Sequence, residues 1–414
     1  MLIHLGFSKI SGHSCIKITG SKSETNRLLL LQAFFPSLVL ENTSISDDSE
    51  AMLKALQDVK STVAETLCVD VHHAGTAMRF LTAFFASQEG KEIILTGSSR
   101  MKERPIKILV DALLQMGAEI TYTENEGYPP LHIRGKKLMN LKVSLPAHVS
   151  SQYISALLLI APKLENGLEL KLEGEITSLP YIKMTLDLLN EVGVETFFEN
   201  NSITIQPSNQ DLNPKTIRVE SDWSSVSYWY SILALSEIGA QITLSSFKEN
   251  SLQGDAVLKE IYKDFGVQTI FNDNQSITLS KYKATNLESV TYNLQSSPDI
   301  AQTIAVTCFG LGIGCLLTGL HTLKIKETDR LQALKNELEK LGATVAITNE
   351  SLTLEPCNTI HTQVVIQTYQ DHRMAMAFAP LALKTPLTIE DAEVVTKSYP
   401  DFWKDLQSVG FDIK

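Results

Sequence analysis

The chain carries Ser21-Lys22-Ser23-Glu24-Thr25-Asn26-Arg27 directly before four leucines at 28–31. A helix capped there by Ser21 or Ser23 would bring free backbone N–H groups, the positive end of its dipole, a hydroxyl and two cations to one spot. Groups of this kind bind anions. The other interpretation is an ordinary helix cap with Lys and Arg side chains in solvent, and the segment alone leaves both interpretations open.

A pattern of two helices recurs six times along the chain. The first helix of each repeat runs into an almost uninterrupted apolar segment, such as 154–160 or 375–383, which predicts that this helix is buried. The six first helices begin at Ser21-Lys22-Ser23, His73-Ala74-Gly75-Thr76, Ser150-Ser151-Gln152, Asp222-Trp223-Ser224-Ser225, Ser297-Pro298-Asp299 and Asp371-His372-Arg373. We expect their polar N-termini to face one place, which predicts an anion-binding site.

The second helix of each repeat is amphipathic, and all but the earliest copy, at 52–59, end at a glycine. A glycine directly after the last helical turn is typical of a C-terminal cap. These glycines are Gly117, Gly193, Gly266, Gly342 and Gly410. A strand is expected after each of them. Six repeats in 414 residues predict two domains of three repeats, with a boundary near 218–222.

Composition and charge argue against several classes of protein. The net charge of −11 disfavours nonspecific binding to nucleic acid. We expect no targeting segment at the N-terminus. The uncharged stretch 301–320 holds glycines at 310, 312 and 314 and several polar residues, which predicts a buried helix and strand instead of a membrane span. Five scattered cysteines without metal-ligand spacing predict buried, reduced thiols in a cytoplasmic protein. Adjacent His72 and His73 cannot easily face one ion, so no metal is predicted.

Basic residues concentrate at the helix starts and in three further segments. They are Lys22, Arg27, Arg79, Arg100, Arg104, Lys326, Arg330, His372, Arg373 and Lys397. Several charge-assisted hydrogen bonds of about 1.5–3 kcal/mol each would hold a doubly anionic substrate. Two acids, Asp299 and Glu327, lie in the same neighbourhoods, and acids beside bases suit proton transfer. The simpler alternatives are solvated cations, a helix cap at Asp299 and an ion pair at Glu327.

Seven segments in order along the whole chain resemble the enolpyruvyl transferase family, and within it the 5-enolpyruvylshikimate-3-phosphate synthases. The segments are 21–27, 95–105, Ser150-Ser151-Gln152, Pro298-Asp299, Lys326-Glu327-Thr328-Asp329-Arg330, Asp371-His372-Arg373-Met374-Ala375-Met376 and Lys397-Ser398-Tyr399-Pro400-Asp401. The runs RMKERP at 100–105, KETDR and DHRMAM are specific enough that chance does not explain them.

The resemblance implies an α/β fold of two domains, an inside-out barrel of six βαβαββ repeats whose buried helices converge on the interdomain cleft. One domain would comprise residues 20–221 and carry much of the shikimate 3-phosphate site. The other would comprise 1–19 with 222–414 and carry Asp299, Glu327, Arg330, Arg373 and Lys397. The implied reaction transfers the enolpyruvyl group of phosphoenolpyruvate to the 5-hydroxyl of shikimate 3-phosphate, in the shikimate pathway of aromatic amino-acid biosynthesis.

The resemblance also implies the roles of single residues. Asp299 would be the base on the 5-hydroxyl, Glu327 the acid that protonates the methylene carbon, and Lys22 a third catalytic group. Shikimate 3-phosphate would be bound by Lys22, Ser23, Arg27, Ser150, Ser151, Gln152, Ser178, Tyr181, Asp299 and Lys326. Phosphoenolpyruvate would be bound by Lys22, Gly75, Arg104, Gln152, Arg330, Arg373 and Lys397. We expect a cytoplasmic monomer without cofactor or metal that binds neither nucleic acid nor membrane.

The chain departs from the family pattern at three positions. The usual Asn and Pro of the segment before and within the second buried helix are His73 and Phe80 here, which puts the shape of the phosphoenolpyruvate pocket in doubt and predicts reduced sensitivity to glyphosate. A family Asn is replaced by Thr322, which leaves that contact uncertain.

Two alternative functions remain. One is that of the sister enzyme acting on UDP-N-acetylglucosamine, which carries a reactive loop cysteine that this chain lacks. The other is that of a noncatalytic anion-binding protein.

Overall fold

The computed structural model describes residues 1–414 except 11–12, 62–65, 148–149, 175, 177–178 and 209–213. Within the described residues the chain forms twelve α-helices. They are α1 (Lys22–Phe34), α2 (Asp47–Ser61), α3 (Gly75–Ala86), α4 (Lys107–Gln115), α5 (Ser151–Ile160), α6 (Leu179–Glu191), α7 (Trp223–Leu235), α8 (Leu258–Asp264), α9 (Ala301–Leu311), α10 (Arg330–Lys340), α11 (His372–Phe378) and α12 (Phe402–Ser408).

The same residues form 21 β-strands. They are β1 (Ile3–Leu5), β2 (His13–Ile16), β3 (Leu38–Glu41), β4 (Leu67–Asp70), β5 (Glu92–Thr96), β6 (Glu119–Tyr122), β7 (Leu131–Arg134), β8 (Lys142–Pro146), β9 (Leu168–Glu173), β10 (Thr196–Glu199), β11 (Ser202–Ile205), β12 (Lys215–Arg218), β13 (Gln241–Ser245), β14 (Val267–Asn272), β15 (Ser276–Lys281), β16 (Ser289–Asn293), β17 (Gly314–Thr318), β18 (Val345–Ile347), β19 (Leu352–Leu354), β20 (Val364–Ile366) and β21 (Leu387–Ile389). Short 3-10 helices include Pro298–Ile300 before α9 and Gly254–Val257 before α8.

Backbone contacts divide the chain into two compact units. The central unit is Ser21–Val219, and the terminal unit is Met1–Gly20 with Glu220–Lys414. The central unit is thus inserted into the terminal unit, whose backbone closes around the insertion with an antiparallel bridge between Gly20 and Ser221.

The interior of each unit is helical. In the central unit α1, α3 and α5 contact one another, and in the terminal unit α7, α9 and α11 do so. All residues of α11 and all residues of α7 except the partly exposed Ser224 are buried, as are most residues of the other four. These six are the first helices of the repeats, so the predicted buried helices and the predicted α/β fold of six repeats are confirmed. The apolar segments explain the burial because a helix without a polar face gains most by contacting protein on all sides.

The sheets repeat one pattern. Four of them have four strands, in the orders β4-β5-β7-β6, β10-β11-β9-β8, β14-β15-β13-β2 and β16-β17-β19-β18. In each, one outer pair is parallel and the remaining pairings are antiparallel. In β4-α3-β5-α4-β6-β7, for example, a helix connects the parallel pair, as parallel pairing requires, and a hairpin closes the sheet. The smaller sheets β12-β3 and β1-β21-β20 also contain a parallel pair.

The glycine after five of the amphipathic helices has the predicted role. Gly117, Gly193, Gly266, Gly342 and Gly410 all have φ between 74° and 109°. This left-handed conformation strains residues that carry a Cβ, and it turns the chain out of the helix. The predicted strand follows the first four of these glycines, but after Gly410 only Ile413 forms a single bridge, with Leu5. The uncharged stretch 301–320 forms α9 and β17, and no helix among the described residues has the length and apolarity to cross a membrane.

A buried lysine joins the C-terminal ends of two helices in the terminal unit. Lys281 on β15 is 4% exposed, and its Nζ donates to the carbonyl oxygens of Ala234 at 2.8 Å and Phe265 at 2.7 Å. These carbonyls lie at the ends of α7 and α8, where the helix itself supplies no donor. Burial lowers the pKa of Lys281 to about 8.

We expect Lys281→Met to lower the free energy of unfolding by about 1–3 kcal/mol near pH 7, because two buried carbonyls lose their donor. Since the pKa of Lys281 is lower in the folded chain, the unfolded chain binds more protons between about pH 8 and the ordinary lysine value of 10.5. The stability of the native protein relative to the variant should therefore rise as pH rises through this window. Urea unfolding at pH 7 and pH 9.5 measures both effects. Exposed Lys283→Met is the control, and an equal loss in both variants would contradict the role of Lys281.

Candidate functional site

Three buried helices of the terminal unit bring their N-terminal ends together. Ser224 is the second residue of α7, Asp299 lies in the 3-10 turn before α9, and Arg373 is the second residue of α11. Arg373 Nη2 donates to Ser224 Oγ at 3.2 Å and to Asp299 Oδ2 at 3.3 Å, and its Nη1 donates to the Asp299 carbonyl at 3.1 Å. The polar helix starts therefore meet within this unit, as their sequence pattern predicts.

Arg330 is a buried cation of the terminal unit that contacts three carboxylates. It is the first residue of α10 and is 2% exposed. Its three nitrogens donate to three carboxylates, Asp371 at 2.6 Å, Asp299 at 2.8 Å and Glu327 at 2.7 Å. Burial alone would lower the pKa of Arg330, but the three carboxylates outweigh burial and raise it above its ordinary value.

Asp299 lies among three cations. Arg330 and Arg373 donate to its carboxylate, and Lys326 Nζ lies 3.6 Å from Oδ1. Burial would raise the pKa of Asp299, but the charges of Lys326, Arg373 and Arg330 hold it well below its usual range. Asp299 is therefore ionised at neutral pH and has little affinity for a proton in this arrangement.

Asp371 was predicted as part of a helix start, and its position gives it a larger role. Its side chain is fully buried. Oδ2 accepts from Arg330 Nε, while Oδ1 accepts from the backbone N–H of Arg373 at 2.8 Å and so caps α11. One carboxylate thus fixes Arg330 and the start of the helix that carries Arg373. Its place before His372-Arg373 in the motif is the sequence signal that could have indicated this.

Lys397 is held by backbone instead of by carboxylates. Its Nζ donates to the carbonyl oxygen of Gln370 at 2.7 Å. Tyr369 and Gln370 both have positive φ, at 53° and 57°, so the chain turns sharply before it reaches Asp371. Lys397 therefore contacts the loop that directly precedes Asp371, the residue that accepts from Arg330.

The central unit contains a second set of predicted residues, of which Arg27 is the most buried. Arg27 is 2% exposed, and its guanidinium donates to Thr185 Oγ1, Ser155 Oγ and the carbonyl oxygens of Ser23 and Tyr181. Burial lowers its pKa to about 10, so Arg27 keeps its charge at neutral pH. At least four of its five N–H donors are used within the unit, which leaves little of the guanidinium for a ligand.

Lys22 is the first residue of α1, directly after the N-cap Ser21, as predicted. Its Nζ lies 3.4 Å from Asp48 Oδ2. Asp48 is buried in the first turn of α2. The sequence analysis missed Asp48 because nothing in the pattern of α2 distinguishes it from the neighbouring Asp47 and Glu50.

Gly75 and Gln152 lie in the first turns of α3 and α5, and Arg104 directly follows the 3-10 helix Met101–Glu103. A Cβ on Gly75 would lie 2.6 Å from Arg104 Nη1, so the absence of a side chain lets the Arg104 guanidinium approach the first turn of α3. Gln152 Nε2 donates to Thr76 Oγ1 at 3.1 Å, which joins the two helix starts. The structure thus brings three of the residues predicted for phosphoenolpyruvate to neighbouring helix ends.

The remaining predicted residues of the central unit have simple positions. Ser150 caps α5 by accepting from Gln152 N at 3.3 Å, and Ser151 is the first residue of that helix. Ser23 and Tyr181 accept from Arg27 through their carbonyls. Ser178 lies outside the described residues.

The positions that depart from the family pattern are also defined. Phe80 is fully buried in α3, where its ring centroid lies 5.4 Å from Arg27 Cζ. It is the sixth residue of α3, beyond the first turn, so its effect on the helix start is less direct than the sequence suggested. His73 Nε2 lies 3.6 Å from Asp47 Oδ2. Thr322 Oγ1 is buried and forms no hydrogen bond within the described part of the chain.

Two expectations about other residue types can be compared with the structure. Cys308 and Cys315 are buried as expected, but Cys15 and Cys68 are exposed, because they lie at outward-facing positions of β2 and β4. The described residues contain no group of at least three His, Cys, Asp or Glu side chains that could hold a metal ion.

Known proteins resemble this chain over nearly its whole length. The family model described as EPSP synthase (3-phosphoshikimate 1-carboxyvinyltransferase) matches residues 7–406. A 3-phosphoshikimate 1-carboxyvinyltransferase of Bacteroides fragilis (strain YCH46) is 45% identical over 404 residues, which cover 96% of each chain. One from Pasteurella multocida (strain Pm70) is 37% identical over 419 residues, covering 94% of this chain and 93% of the relative.

Solved structures share the fold at low identity. The EPSP synthase of Acinetobacter baumannii has a TM-score of 0.80 at 21% identity, covering 100% of this chain and 99% of its own. The enolpyruvyl transferase NikO of Streptomyces tendae has a TM-score of 0.77 at 15% identity, covering 100% and 98%. These two structures support the α/β architecture described above.

We expect Asp371→Ala to lower the free energy of unfolding by about 3 kcal/mol, because it leaves the buried Arg330 and the start of α11 without a shared acceptor. Asp299 and Glu327 still contact Arg330, so the loss should lie at the low end for a broken buried ion pair. Urea unfolding followed by circular dichroism measures the change.

Glu339→Ala is the control for this variant, since Glu339 lies on the same helix as Arg330 and forms an exposed pair with Lys335 at 2.8 Å. Its effect should stay within about 0.5 kcal/mol. Equal effects of the two substitutions would show that Asp371 contributes no more than a surface acid.

Proposed function

This chain belongs to the EPSP synthase (3-phosphoshikimate 1-carboxyvinyltransferase) family, and from that premise we propose that it transfers the 1-carboxyvinyl group of phosphoenolpyruvate to the 5-hydroxyl of shikimate 3-phosphate. The chain is then a transferase of the shikimate pathway, which supplies aromatic amino-acid biosynthesis. The observation that carries the proposal is the arrangement of Asp299 and Glu327 on Arg330, with Arg373 and Lys326 beside Asp299. Two potential proton carriers are held there by cations that can also bind anionic substrates.

The charges of the substrates explain why so many cations are needed. Each substrate carries one carboxylate and one phosphate, and each of these groups favours several charge-assisted hydrogen bonds. We assign phosphoenolpyruvate to Lys22, Gly75, Arg104, Gln152, Arg330, Arg373 and Lys397. We assign shikimate 3-phosphate to Lys22, Ser23, Arg27, Ser150, Ser151, Gln152, Ser178, Tyr181, Asp299 and Lys326. The bonds that Arg27 already forms within its unit restrict it to one further donor or to a charge effect.

The first half of the reaction adds the alcohol to the enol. The 5-hydroxyl oxygen forms a bond to C2 of phosphoenolpyruvate while Asp299 accepts the hydroxyl proton. Glu327 donates a proton to C3, and the electron pair of the C2–C3 double bond forms the new C–H bond. Positive character develops at C2, and fixed cations hold the neighbouring carboxylate and phosphate that offset it. The product of this half is a tetrahedral ketal phosphate.

The second half eliminates phosphate. The bond from C2 to the phosphate oxygen breaks, a proton leaves C3, and the C2–C3 double bond forms again as an enol ether. The proton returns to the enzyme, so no oxidant or reductant takes part. Lys22, at the positive end of α1, is assigned to stabilise the charge on the substrates in both halves.

Substrate binding should change the strength of Asp299 as a base. The charges of Lys326, Arg373 and Arg330 keep its pKa well below the usual range against the effect of burial. Carboxylate and phosphate groups bound to the same cations would offset their charge and raise the pKa of Asp299. Asp299 would then become an effective base only when an anionic substrate is bound.

The proposal also includes two domains. Residues 20–221 would carry much of the shikimate 3-phosphate site, and 1–19 with 222–414 would carry Asp299, Glu327, Arg330, Arg373 and Lys397. It includes a cytoplasmic monomer that needs no cofactor. The five cysteines are free in the structure, which fits a reducing compartment.

The decisive experiment measures phosphate release from phosphoenolpyruvate by the purified protein. We expect release with shikimate 3-phosphate and none with UDP-N-acetylglucosamine. Release only with the sugar nucleotide would identify the sister activity instead. Absence of release with both, in a folded sample, would indicate a noncatalytic anion-binding protein.

We expect Glu327→Gln and Asp299→Asn each to slow turnover by about 10²–10⁴-fold, because each amide keeps the shape of the side chain but does not transfer the proton. Binding of shikimate 3-phosphate, measured by calorimetry, should weaken less than turnover. The exposed Glu339→Gln on α10 is the control and should retain normal turnover. Turnover within threefold of the native rate in either site variant would overturn the role assigned to that residue.

A further inference from the structure

Asp255 is a buried acid of the terminal unit for which the reaction above has no use. It lies in the 3-10 helix Gly254–Val257 and is 4% exposed. Its Oδ2 accepts from Ser224 Oγ at 2.5 Å. Its Oδ1 is buried and accepts no hydrogen bond from the residues that the structure describes. A buried carboxylate with one unsatisfied oxygen is costly to the fold and calls for an explanation.

Ser224 connects this acid to the proposed active site. Its hydroxyl oxygen receives a hydrogen bond from Arg373 Nη2 at 3.2 Å, and the same nitrogen donates to Asp299 Oδ2 at 3.3 Å. A hydroxyl has a single proton to donate and two lone pairs that accept. Because the proton of Ser224 points to Asp255, the lone pairs remain available to Arg373. Rotation of the proton toward Arg373 would place two donors against each other.

The backbone of Ser224 is fixed on both sides, so the rotation of its hydroxyl is the freedom that remains. Gln253 Oε1 accepts from Trp223 N at 2.8 Å, and Asp222 Oδ1 accepts from Ser225 N at 2.8 Å. The short segment from Gln253 to Asp255 therefore holds the first turn of α7 by its backbone and by the Ser224 side chain. Asp255 contacts the Ser224 side chain.

The buried charge of Asp255 is better explained by its effect on the direction of the Ser224 hydroxyl proton than by a contribution to the stability of the fold. Burial, followed by the charge of Asp299, raises its pKa to about 6, with Arg373 and Ser224 acting in the opposite direction and Asp222 adding to the rise. An asparagine would accept from Ser224 without a buried charge. However, an amide can also turn its NH₂ group toward Ser224, whereas an ionised carboxylate only accepts. Above pH 7 the carboxylate therefore forces Ser224 to be the donor.

We propose that Asp255 is a positioning residue for Arg373, which it orients by accepting the Ser224 hydroxyl proton and so directing the lone pairs of Ser224 to the guanidinium. The inference rests on the proposed function, in which Arg373 binds phosphoenolpyruvate. It adds two residues, Asp255 and Ser224, that act on that substrate through Arg373 and touch neither substrate themselves.

Steady-state kinetics above pH 7 test the proposal. Asp255→Ala and Ser224→Ala should each raise the KM for phosphoenolpyruvate by about 5–20-fold, since Arg373 loses one fixed charge-assisted partner. The KM for shikimate 3-phosphate and kcat should change by less than about threefold. The double variant should be no worse than the poorer single variant, because both substitutions remove the same contact.

Two further variants separate positioning from general damage. Asp255→Asn keeps the shape of the side chain and one acceptor. On a logarithmic scale, its rise in the KM for phosphoenolpyruvate should be at most half of the rise caused by Asp255→Ala. It should unfold at a temperature no lower than the native protein. Asp405→Ala removes a partly buried acid of the same unit that accepts from Tyr399 OH at 2.7 Å. It has no bond to Arg373 and should leave the KM for phosphoenolpyruvate unchanged.

The outcomes distinguish this proposal from the proposed function. A native enzyme without phosphate release would overturn the function itself. An active native enzyme whose Asp255 variants match Asp405→Ala would overturn only the positioning role. The positioning role would also be overturned if the increases in KM of the two single variants multiplied in the double variant. A fall in kcat with an unchanged KM in the single variants would overturn it as well. If Asp255→Ala does not fold, the comparison of Asp255→Asn with Ser224→Ala gives the same decision.

Discussion

The guanidinium of Arg330 is the group on which the terminal unit depends. It is buried, and it contacts three carboxylates that come from three places in the chain: the turn before α9, the cap of α11 and the loop before α10. A buried cation without such partners would destabilise the fold severely, and so would the buried carboxylate of Asp371 without the cation. The carboxylates of Asp299 and Glu327 are partly exposed. The relative positions of Asp299, Glu327 and Asp371 are thus set by one side chain, and the candidate acid and base are placed by the same contacts that hold the unit together.

The two units bury their arginines in different ways. Arg27 and Arg79 of the central unit are held largely by hydroxyl and carbonyl oxygens, which are neutral, and burial accordingly lowers the pKa of Arg27. Arg330 donates to three carboxylates, and Arg373 donates to the Asp299 carboxylate as well as to a carbonyl and a hydroxyl oxygen. Nearby carboxylates raise the pKa of both despite burial. Neutral partners leave the positive charge of an arginine uncompensated, whereas carboxylates cancel it. An anion that binds Arg330 therefore competes with internal carboxylates, whereas one that binds Arg27 does not.

Periodicity and local chemistry determine the parts of this molecule that the sequence could predict. The six apolar helices are visible because a buried helix needs apolar residues on all faces, and the glycines after the amphipathic helices are visible because the left-handed turn needs them. Arg330, Glu327 and Asp299 were found through motifs. Asp255 and Asp48 were not found, because the partner of each lies 26 or more positions away and a lone acid in a short turn carries no periodic signal. The exposure of Cys15 and Cys68 depends on which face of a strand they occupy, which short strands do not reveal.

The bridge between Gly20 and Ser221, and the pairing of β2 with β13, bear on how the chain is made. During synthesis on the ribosome β2 emerges first, but its parallel partner β13 follows only after the whole central unit. The strands β3–β12 of the central unit pair only with one another, so their partners have all been made before β13, the partner of β2, is made. The central unit can therefore fold while the chain is still growing. The backbone groups of β2 stay without their strand partner until β13 has been made. The order of translation thus lets β2 pair only after the central unit has been made, and it lets the first strand, β1, pair only when the last strand, β21, has been made.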